Sequence, residues 1–377
     1  MTDLIQIFKP LSDSRSQRNR KHKFLEIIIL SILAVLSGAE TYDDIEQFGK
    51  EKIRFLRKFL ELRHGIPSHD TINRIFQMLN PSAFEQCFAN FTEYLKGSKI
   101  LKEHIDKNQE IKDHIAIDGK SIRGSRDTFK NKGALHSVHA WSVANRLCLG
   151  QISCKEKSNE ITTIPQLINV LDIRQCIISI DAMGTQTAIA EQIIENKGDY
   201  ILAVKNNQPS LVKNVDTICN HDTPVSDTCT VEKNHGRVET RRAEVFTYDS
   251  SVYGKRWKSL QSVIKITATR EFPDGKMTAE ERYYISSLNP SSDFNHHIRS
   301  HWEIENKLHW VLDMTFNEDA SRKREKNAAA NFAIVNKMAL NILRKDTGKG
   351  SLKGKRKRAG WNNNFLLDLL GNYSRLF

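Results

Sequence analysis

The chain has 377 residues, 39% hydrophobic and 27% charged, with a formal net charge of +12 from 57 Lys and Arg against 45 Asp and Glu. That length suits two or three domains with a sizeable core, and the cationic surplus points to a polyanionic partner such as nucleic acid. Six scattered cysteines, Cys87, Cys148, Cys154, Cys176, Cys219 and Cys229, form no C-x-x-C pair, which argues against a zinc finger or a disulfide framework.

Residues 1–95 read as an all-α N-terminal domain. The apolar run Phe24–Leu36 carries Glu26 and is too short to span a bilayer. A buried helix over Phe24–Ser37, a cytoplasmic compartment and no membrane partner are therefore expected. A second helix covers Tyr42–Phe59, with Asp43 and Asp44 at its start and Arg54, Arg57 and Lys58 at its end, as the helix dipole favours. Ser68 follows the turn at 65–67 and can cap a helix holding Thr71 to Leu79. Another runs from Pro81 to about Leu95. The polar stretch 96–113 reads as a linker.

From residue 114 to 345 the pattern changes. Strands are expected at His114–Asp118, His136–Ala144 and Arg146–Ser153, with Ala144-Asn145-Arg146 as a turn. Ile161, Ile164, Leu167, Ile168 and Leu171 recur at helical spacing. Cys176–Ile180 and Asp199–Val204 are near-continuous apolar runs, as in strands covered on both faces, with a helix over Thr185–Lys197 between them ending at Gly198. The order β-β-β-α-β-α-β is that of a ribonuclease H-like fold. Residues 206–290 break the alternation with strand-like pieces at Val238–Tyr248, Ser262–Thr269 and Arg282–Ser286, so a β-rich insertion is expected there. Helices follow at Phe294–Phe316 and Asn327–Leu343. Residues 346–377 read as a basic C-terminal tail closing with an apolar Trp361–Leu370 segment.

Two acids end buried-looking strands, Asp118 and Asp181. Each is near a glycine, Gly119 and Gly184, so backbone crowding is expected to be low. In open α/β sheets sites form beyond the carboxyl ends of strands. An Asp at a strand end also commonly caps a turn, but two such acids after apolar runs suit a hard cation. Along Phe294–Phe316, at about 100° per residue, Glu305 falls within the apolar stripe of Ile298, Trp302, Ile304, Leu308, Val311, Leu312 and Thr315. Glu303 falls opposite. A carboxylate inside an apolar stripe wants a partner or a metal, so Glu305 is the candidate third ligand and Glu303 the solvated acid. His301 and His309 sit four residues either side of Glu305; each either holds the carboxylate, touches phosphate or packs. Three inward carboxylates suit two-metal phosphoryl transfer with Mg²⁺ or Mn²⁺.

The segments I-A-I-D-G-K at 115–120, S-I-D-A-M-G-T-Q at 179–186, Y-I-L-A-V-K-N-N-Q at 200–208 and H-W-x-I-E-N-x-L-H-W at 301–310 resemble the DDE insertion-sequence transposases that include the H-repeat-associated proteins. G-I-P-S-H-D-T at 65–71, H-G-R-V-E-T-R at 235–241 and R-Y-Y-I-S-S-L at 282–288 extend the resemblance over nearly the whole chain. It implies a ribonuclease H-like catalytic domain with a β insertion before the last acid. Asp118, Asp181 and Glu305 would be the catalytic triad binding two Mg²⁺ or Mn²⁺ ions. The partners would be the element's DNA ends and target DNA, with a homodimer assembled on DNA in a bacterial, nucleoid-associated setting. Related cut-and-paste enzymes carry Tyr, Arg, Glu and Lys around the third acid; here the Tyr position is Ile298, the Arg position His301 and the Lys position Leu312. Arg299, His301 and His309 are the candidate substitutes for phosphate contact.

Further DNA-contact candidates are Lys120 and Arg123 beside Asp118, and His235, Arg237 and Arg241 in the insertion. Another block runs from Arg322 to Arg358, thirteen Lys or Arg against Glu325 and Asp346, and includes Lys355, Arg356, Lys357 and Arg358. Such blocks bind nucleic acid without sequence preference; a solvated face is the competing reading for each. Trp257 is either a stacking platform or a core residue. Two other functions fit the same acids, a cleavage-only nuclease and a noncatalytic DNA-binding protein descended from a mobile element.

Overall fold

A computed structural model describes residues 6–16, 20–97, 113–154, 159–234 and 236–370. The expected linker is therefore largely outside the described residues, as is His235.

Four helices open the chain: α1 Phe24–Leu36, α2 Tyr42–Leu56, α3 His69–Met78 and α4 Pro81–Gly97. The run Ile27–Leu36 is buried throughout. At the start of α2 the Thr41 hydroxyl accepts from the Asp44 N–H at 3.1 Å while the Asp44 carboxylate accepts from the Thr41 N–H at 2.9 Å, which satisfies donors the first helical turn leaves free. Ser68 caps α3 as its position suggests.

Nine strands form one sheet: β1 Asp113–Ile122, β2 Leu135–Ser142, β3 Leu147–Cys154, β4 Cys176–Ile180, β5 Asp199–Val204, β6 Ser226–Asn234, β7 Arg237–Thr247, β8 Ser262–Glu271 and β9 Met277–Ser286, in the spatial order β3-β2-β1-β4-β5-β9-β8-β7-β6. The β1–β2–β3 meander is antiparallel, and β4 and β5 are added in parallel. Helix α5 Glu160–Asn169 precedes β4 and α6 Thr187–Glu195 joins β4 to β5, the crossovers that parallel neighbours require.

The insertion is not a separate subdomain. Strand β9 pairs antiparallel with β5, from Ile201↔Ser286 to Val204↔Tyr283, so β6–β9 continue the same sheet. The insertion also contains helix α7 Pro209–His221, with Pro at its first turn and Leu211, Val215 and Ile218 buried, and strand β6, which was not anticipated.

After the sheet come α8 Phe294–His301, a π-helical stretch Ile304–His309, α9 Trp310–Phe316, α10 Ala328–Lys345, α11 Leu352–Trp361 and α12 Asn363–Leu370. Every residue of α10 from Ala328 to Leu343 is buried. It runs between the N-terminal helices and the sheet, and its polar side chains close backbone gaps in both. The Asn331 amide donates to the carbonyls of Phe76 and Leu79 at 2.7 and 2.9 Å. Asn341 donates to the carbonyl and accepts from the N–H of Cys148 at 2.8 and 3.0 Å, acting as a one-residue strand on the sheet edge β3. Thr92 and Glu85 of α4 bond Cys148 and Ser153 of the same edge. Helices and sheet consequently share one apolar core, so residues 20–97 are a layer built onto the sheet.

The basic tail is likewise folded. In α11 the guanidinium of Arg356 is buried: it donates to the carbonyls of Val35, Ala39 and Thr315 at 2.9, 2.7 and 2.5 Å and lies over the Phe316 ring. Lys355 is buried against Asp346 at 3.0 Å. Lys323 sits 3.6 Å over the Phe332 ring and Lys337 pairs with Glu318 in the core. Much of this block therefore stabilises the fold, because its cations are engaged by backbone carbonyls, carboxylates and rings of the core. No helix among the described residues is long and apolar enough to cross a membrane.

Candidate active site

Parallel pairing of β1 with β4 ends at Ile117↔Ile180, and the next residue on each strand is an acid, Asp118 and Asp181. Asp118 lies within β1, which continues to Ile122 because β2 keeps pairing with it, Asp118 opposite His139. Asp181 accepts from the backbone N–H groups of Met183 and Gly184 at 3.1 and 3.5 Å. It caps the 3₁₀ turn Ala182–Gly184 and still lines the cavity shared with Asp118 and Glu305.

The glycines beside these acids mark crowding, contrary to expectation. A Cβ at Gly119 would meet the Glu160 carboxylate at 2.4 Å and the His136 ring at 2.7 Å, and one at Gly184 would meet Ile180 at 2.3 Å. Bulk at either position would push the acid out of place.

Residues on β1 and β2 alternate between the faces of the sheet. On one face stand His114, Asp118 and Lys120 of β1 with Ser137, His139 and Trp141 of β2. The segment from α8 to α9 crosses this face and presents His301, Glu305, His309 and Asp313, each four residues from the last. His301 Nδ1 meets Ser179 Oγ at 2.8 Å, and that hydroxyl meets His114 Nε2 at 2.7 Å. His309 lies between Glu305, at 3.3 Å, and His139, at 3.0 Å. Asp313 takes the Lys120 ammonium on both oxygens at 2.7 Å. In a regular α-helix a four-residue repeat drifts about 40° per step. The wider π-helical turn at 304–309 counters that drift and keeps all four over the sheet.

The same irregularity corrects the expected phase of this helix. Glu305 is half exposed, at the mouth of the cavity, and Trp302, assigned to the apolar stripe, is 44% exposed. Glu303 is partly buried near the Trp141 indole. A uniform 100° turn does not hold across the break at Trp302.

Asp118, Glu305 and His309 offer ligand atoms within 4.8 Å of one another. Burial pushes the Asp118 carboxyl up to about 8, and the charges of Glu305, Asp181 and Glu160 push in the same direction against the stabilising Gly119 N–H. The hydrogen bond from His309 holds Glu305 below its ordinary range. Asp181 lines the same cavity of about 360 Å³ but is not part of the close group of Asp118, Glu305 and His309, and the adjacent Lys120 is already paired to Asp313; oxygen donors of this kind suit a divalent cation.

The remaining candidates are dispersed. Lys120 is buried on Asp313 and is not a free phosphate ligand. Arg123 pairs with Asp319 at 2.6 Å while 85% of its side chain is exposed. Arg299 is paired with Glu232, Arg241 with Glu239 at 2.6 Å, and Arg237 lies 3.7 Å from Glu239. With Arg270 and Arg282 these arginines line a second cavity of about 680 Å³ on the insertion side. Burial pushes His301 down to about 4, so it reaches the site as a neutral ring and not as a cationic substitute for Arg. Lys355 and Arg356 face the core, Lys357 is exposed, and Arg358 lies 4.0 Å over the Phe365 ring. Trp257 is a core residue. His139, Ser137 and Asp313 were not anticipated. The alternation S-x-H-x-W at 137–141 and the four-residue spacing from His301 to Asp313 were the available signals.

Comparison with known proteins places the chain in a family. A family profile described as "Transposase DDE domain" matches residues 109–342, and one described as "DDE_Tnp_1-associated" matches residues 5–92. The Escherichia coli O157:H7 protein "Putative transposase YncI" is 40% identical over 99% of this chain and 95% of its own length. "H repeat-associated putative transposase YhhI" of Escherichia coli K12 is 38% identical over 97% of each. A solved structure, a piggyBac transposase synaptic complex with hairpin DNA, aligns over 100% of this chain and 82% of that one with a TM-score of 0.43 and 12% identity. The chain belongs to the DDE transposase family.

Proposed function

From membership in the DDE transposase family, we propose that this protein cuts the DNA ends of an insertion sequence and joins them to target DNA, using Asp118, Asp181 and Glu305 to hold two Mg²⁺ or Mn²⁺ ions. The observation that carries the reading is that three carboxylates, from β1, from the end of β4 and from the π-helical stretch, line one cavity in which Asp118 is pushed up by burial and by the charges of Glu305 and Asp181. The strand order β3-β2-β1-β4-β5 supports a ribonuclease H-like fold for this half of the sheet.

Bound cations would supply activation of a water or 3′-hydroxyl and stabilise the leaving oxygen. The chain's own part is to place the acids: β1 and β4 set Asp118 and Asp181 side by side, the 3₁₀ turn orients Asp181, and His309 orients Glu305. The arginine-lined cavity on the insertion side and exposed Arg123 support phosphate contacts that position the duplex. A homodimer assembled on DNA in a bacterial cytoplasm completes the proposal.

The test is cleavage of DNA carrying the element's ends. Mg²⁺ or Mn²⁺ should support cutting, and Ca²⁺ should support binding alone. Glu305→Gln should lower cleavage at least about a hundredfold, since several kcal/mol of transition-state stabilisation is lost, and leave binding in Ca²⁺ intact. Cleavage that persists in excess chelator would rule the reading out. Cutting without joining would identify a nuclease, and binding without either would identify a noncatalytic descendant.

A further inference from the structure

Behind Glu305 lies a line of three side chains: Ser137 Oγ is 3.0 Å from His139 Nε2, His139 Nδ1 is 3.0 Å from His309 Nε2, and His309 Nδ1 is 3.3 Å from a Glu305 oxygen. Both rings are buried, with His139 1% and His309 3% exposed. Ser137 and His139 are two residues apart on β2 and share a face, and His139 stands opposite Asp118. The line therefore follows from strand register and from the π-helical turn that brings His309 over the sheet.

We propose that Ser137, His139 and His309 form a one-way hydrogen-bond chain that delivers an N–H to Glu305, making His309 a positioning residue for this carboxylate and not a metal ligand. The inference rests on the reading of Glu305 as a cation-binding group. A neutral imidazole has one proton and one lone pair on its ring nitrogens, a hydroxyl has one proton, and a carboxylate has none. With both rings neutral and a carboxylate at the end, one arrangement gives all three contacts a proton. Ser137 O–H donates to His139 Nε2, His139 Nδ1–H donates to His309 Nε2, and His309 Nδ1–H donates to Glu305. Reversal would set a nitrogen lone pair against the carboxylate at 3.3 Å. Burial lowers both rings, the nearby ammonium groups of Lys120 and Lys337 act in the same direction, and Glu305 raises His309. Direct ligation by His309 Nδ1 is the alternative that the cluster of Asp118, Glu305 and His309 invites, and it requires the opposite tautomer. Groups that hydrogen-bond a metal ligand fix its orientation and raise its effective affinity.

The tautomers are measurable on the full-length protein labelled with ¹⁵N-histidine, by two-bond ¹H–¹⁵N correlation in the presence and absence of Mg²⁺, with Mn²⁺ affinity titrated in parallel. Both His139 and His309 are expected to carry their protons on Nδ1, unchanged by Mg²⁺. His139→Ala should release the His309 tautomer and weaken Mn²⁺ binding roughly tenfold or more. His139→Asn, whose amide nitrogen stands in for Nδ1, should restore both. Ser137→Ala, a smaller change in the sheet, should shift the tautomers in the same direction with folding retained by thermal melt. A His309 proton on Nε2 in the wild type overturns the proposal, as does wild-type Mn²⁺ affinity in folded His139→Ala. DNA cleavage in excess chelator would sink the metal reading of Glu305 alone, since the tautomers would still report the chain.

Discussion

Arg356→Ala separates a structural role from a DNA-binding role for the C-terminal basic block. The guanidinium bonds three backbone carbonyls, Val35 and Ala39 around the end of α1 and Thr315 in α9, and lies 4.6 Å over the Phe316 ring. Stranding a buried acceptor costs about 1–3 kcal/mol. Some of these carbonyls will gain water, so a total of about 3–5 kcal/mol is reasonable for the site. At about 2.1 cal/mol/K per residue, 377 residues have an unfolding entropy near 0.8 kcal/mol/K. The melting midpoint should therefore fall by about 4–6 °C. Lys357→Ala, one residue on and exposed, should leave it unchanged. The assay is calorimetric or fluorescence-monitored melting, with DNA affinity measured well below the transition. A variant that melts with the wild type yet binds DNA more weakly would refute the packing argument and return Arg356 to the nucleic-acid surface.

Asp118→Asn should raise the melting point of the metal-free protein at pH 8 and abolish stabilisation by Mg²⁺. A carboxyl raised to about 8 in the fold contributes stability that is complete below its ordinary value and lost as pH climbs through about 8, so the wild type should lose stability over that window and the variant should not; melts across pH 4–9 decide it. Gly119→Ala places a methyl against Glu160 and His136 and should cost about 1–3 kcal/mol of stability while displacing Asp118, read as lower Mn²⁺ affinity. Replacing exposed Lys353, Lys357 and Arg358 with neutral residues should flatten the slope of log DNA affinity against log salt by no more than about 0.9 for each; an unchanged slope would remove this helix from the DNA surface.

Strands β4 and β5 were legible to the residue, because Cys176–Ile180 and Asp199–Val204 are apolar runs covered on both faces and bounded by polar or glycine positions. Strand β6 was not. Its Ser-Asp-Thr-Cys-Thr-Val-Glu-Lys-Asn sequence is largely exposed, and nine register pairs with β7 form it where side-chain patterning is silent. Asp118 and Asp181 stand at the end of their shared parallel pairing as the strand pattern suggests, whereas the uniform helical phase used for Glu305 does not hold. The electrostatic setting of the three acids was not legible, because it depends on which residue of β2 lies opposite Asp118 and on a π-helical turn that no period of 3.6 contains. The C-terminal cations were misplaced for a related reason. Charge counts carry no direction: Lys337, Lys355 and Arg356 are buried on helices whose inner face is set by distant segments, and Lys323 lies over the Phe332 ring from the segment before α10.

The sheet has two open margins, and they are guarded by different means. At β6 the margin is polar, carrying Asp227, Glu232 and Lys233, and charge alone discourages a second strand from docking. At β3 the margin is closed by Asn341, Thr92 and Glu85, which occupy the backbone groups a docking strand would use. A chain interrupted before residue 328 would retain Asp118, Asp181 and Glu305 yet lose α10 and with it Asn341. These carboxylates would survive on a protein whose bared β3 margin can template self-association. A break downstream of all three acids would thus act through insolubility, leaving the acids themselves unmutated.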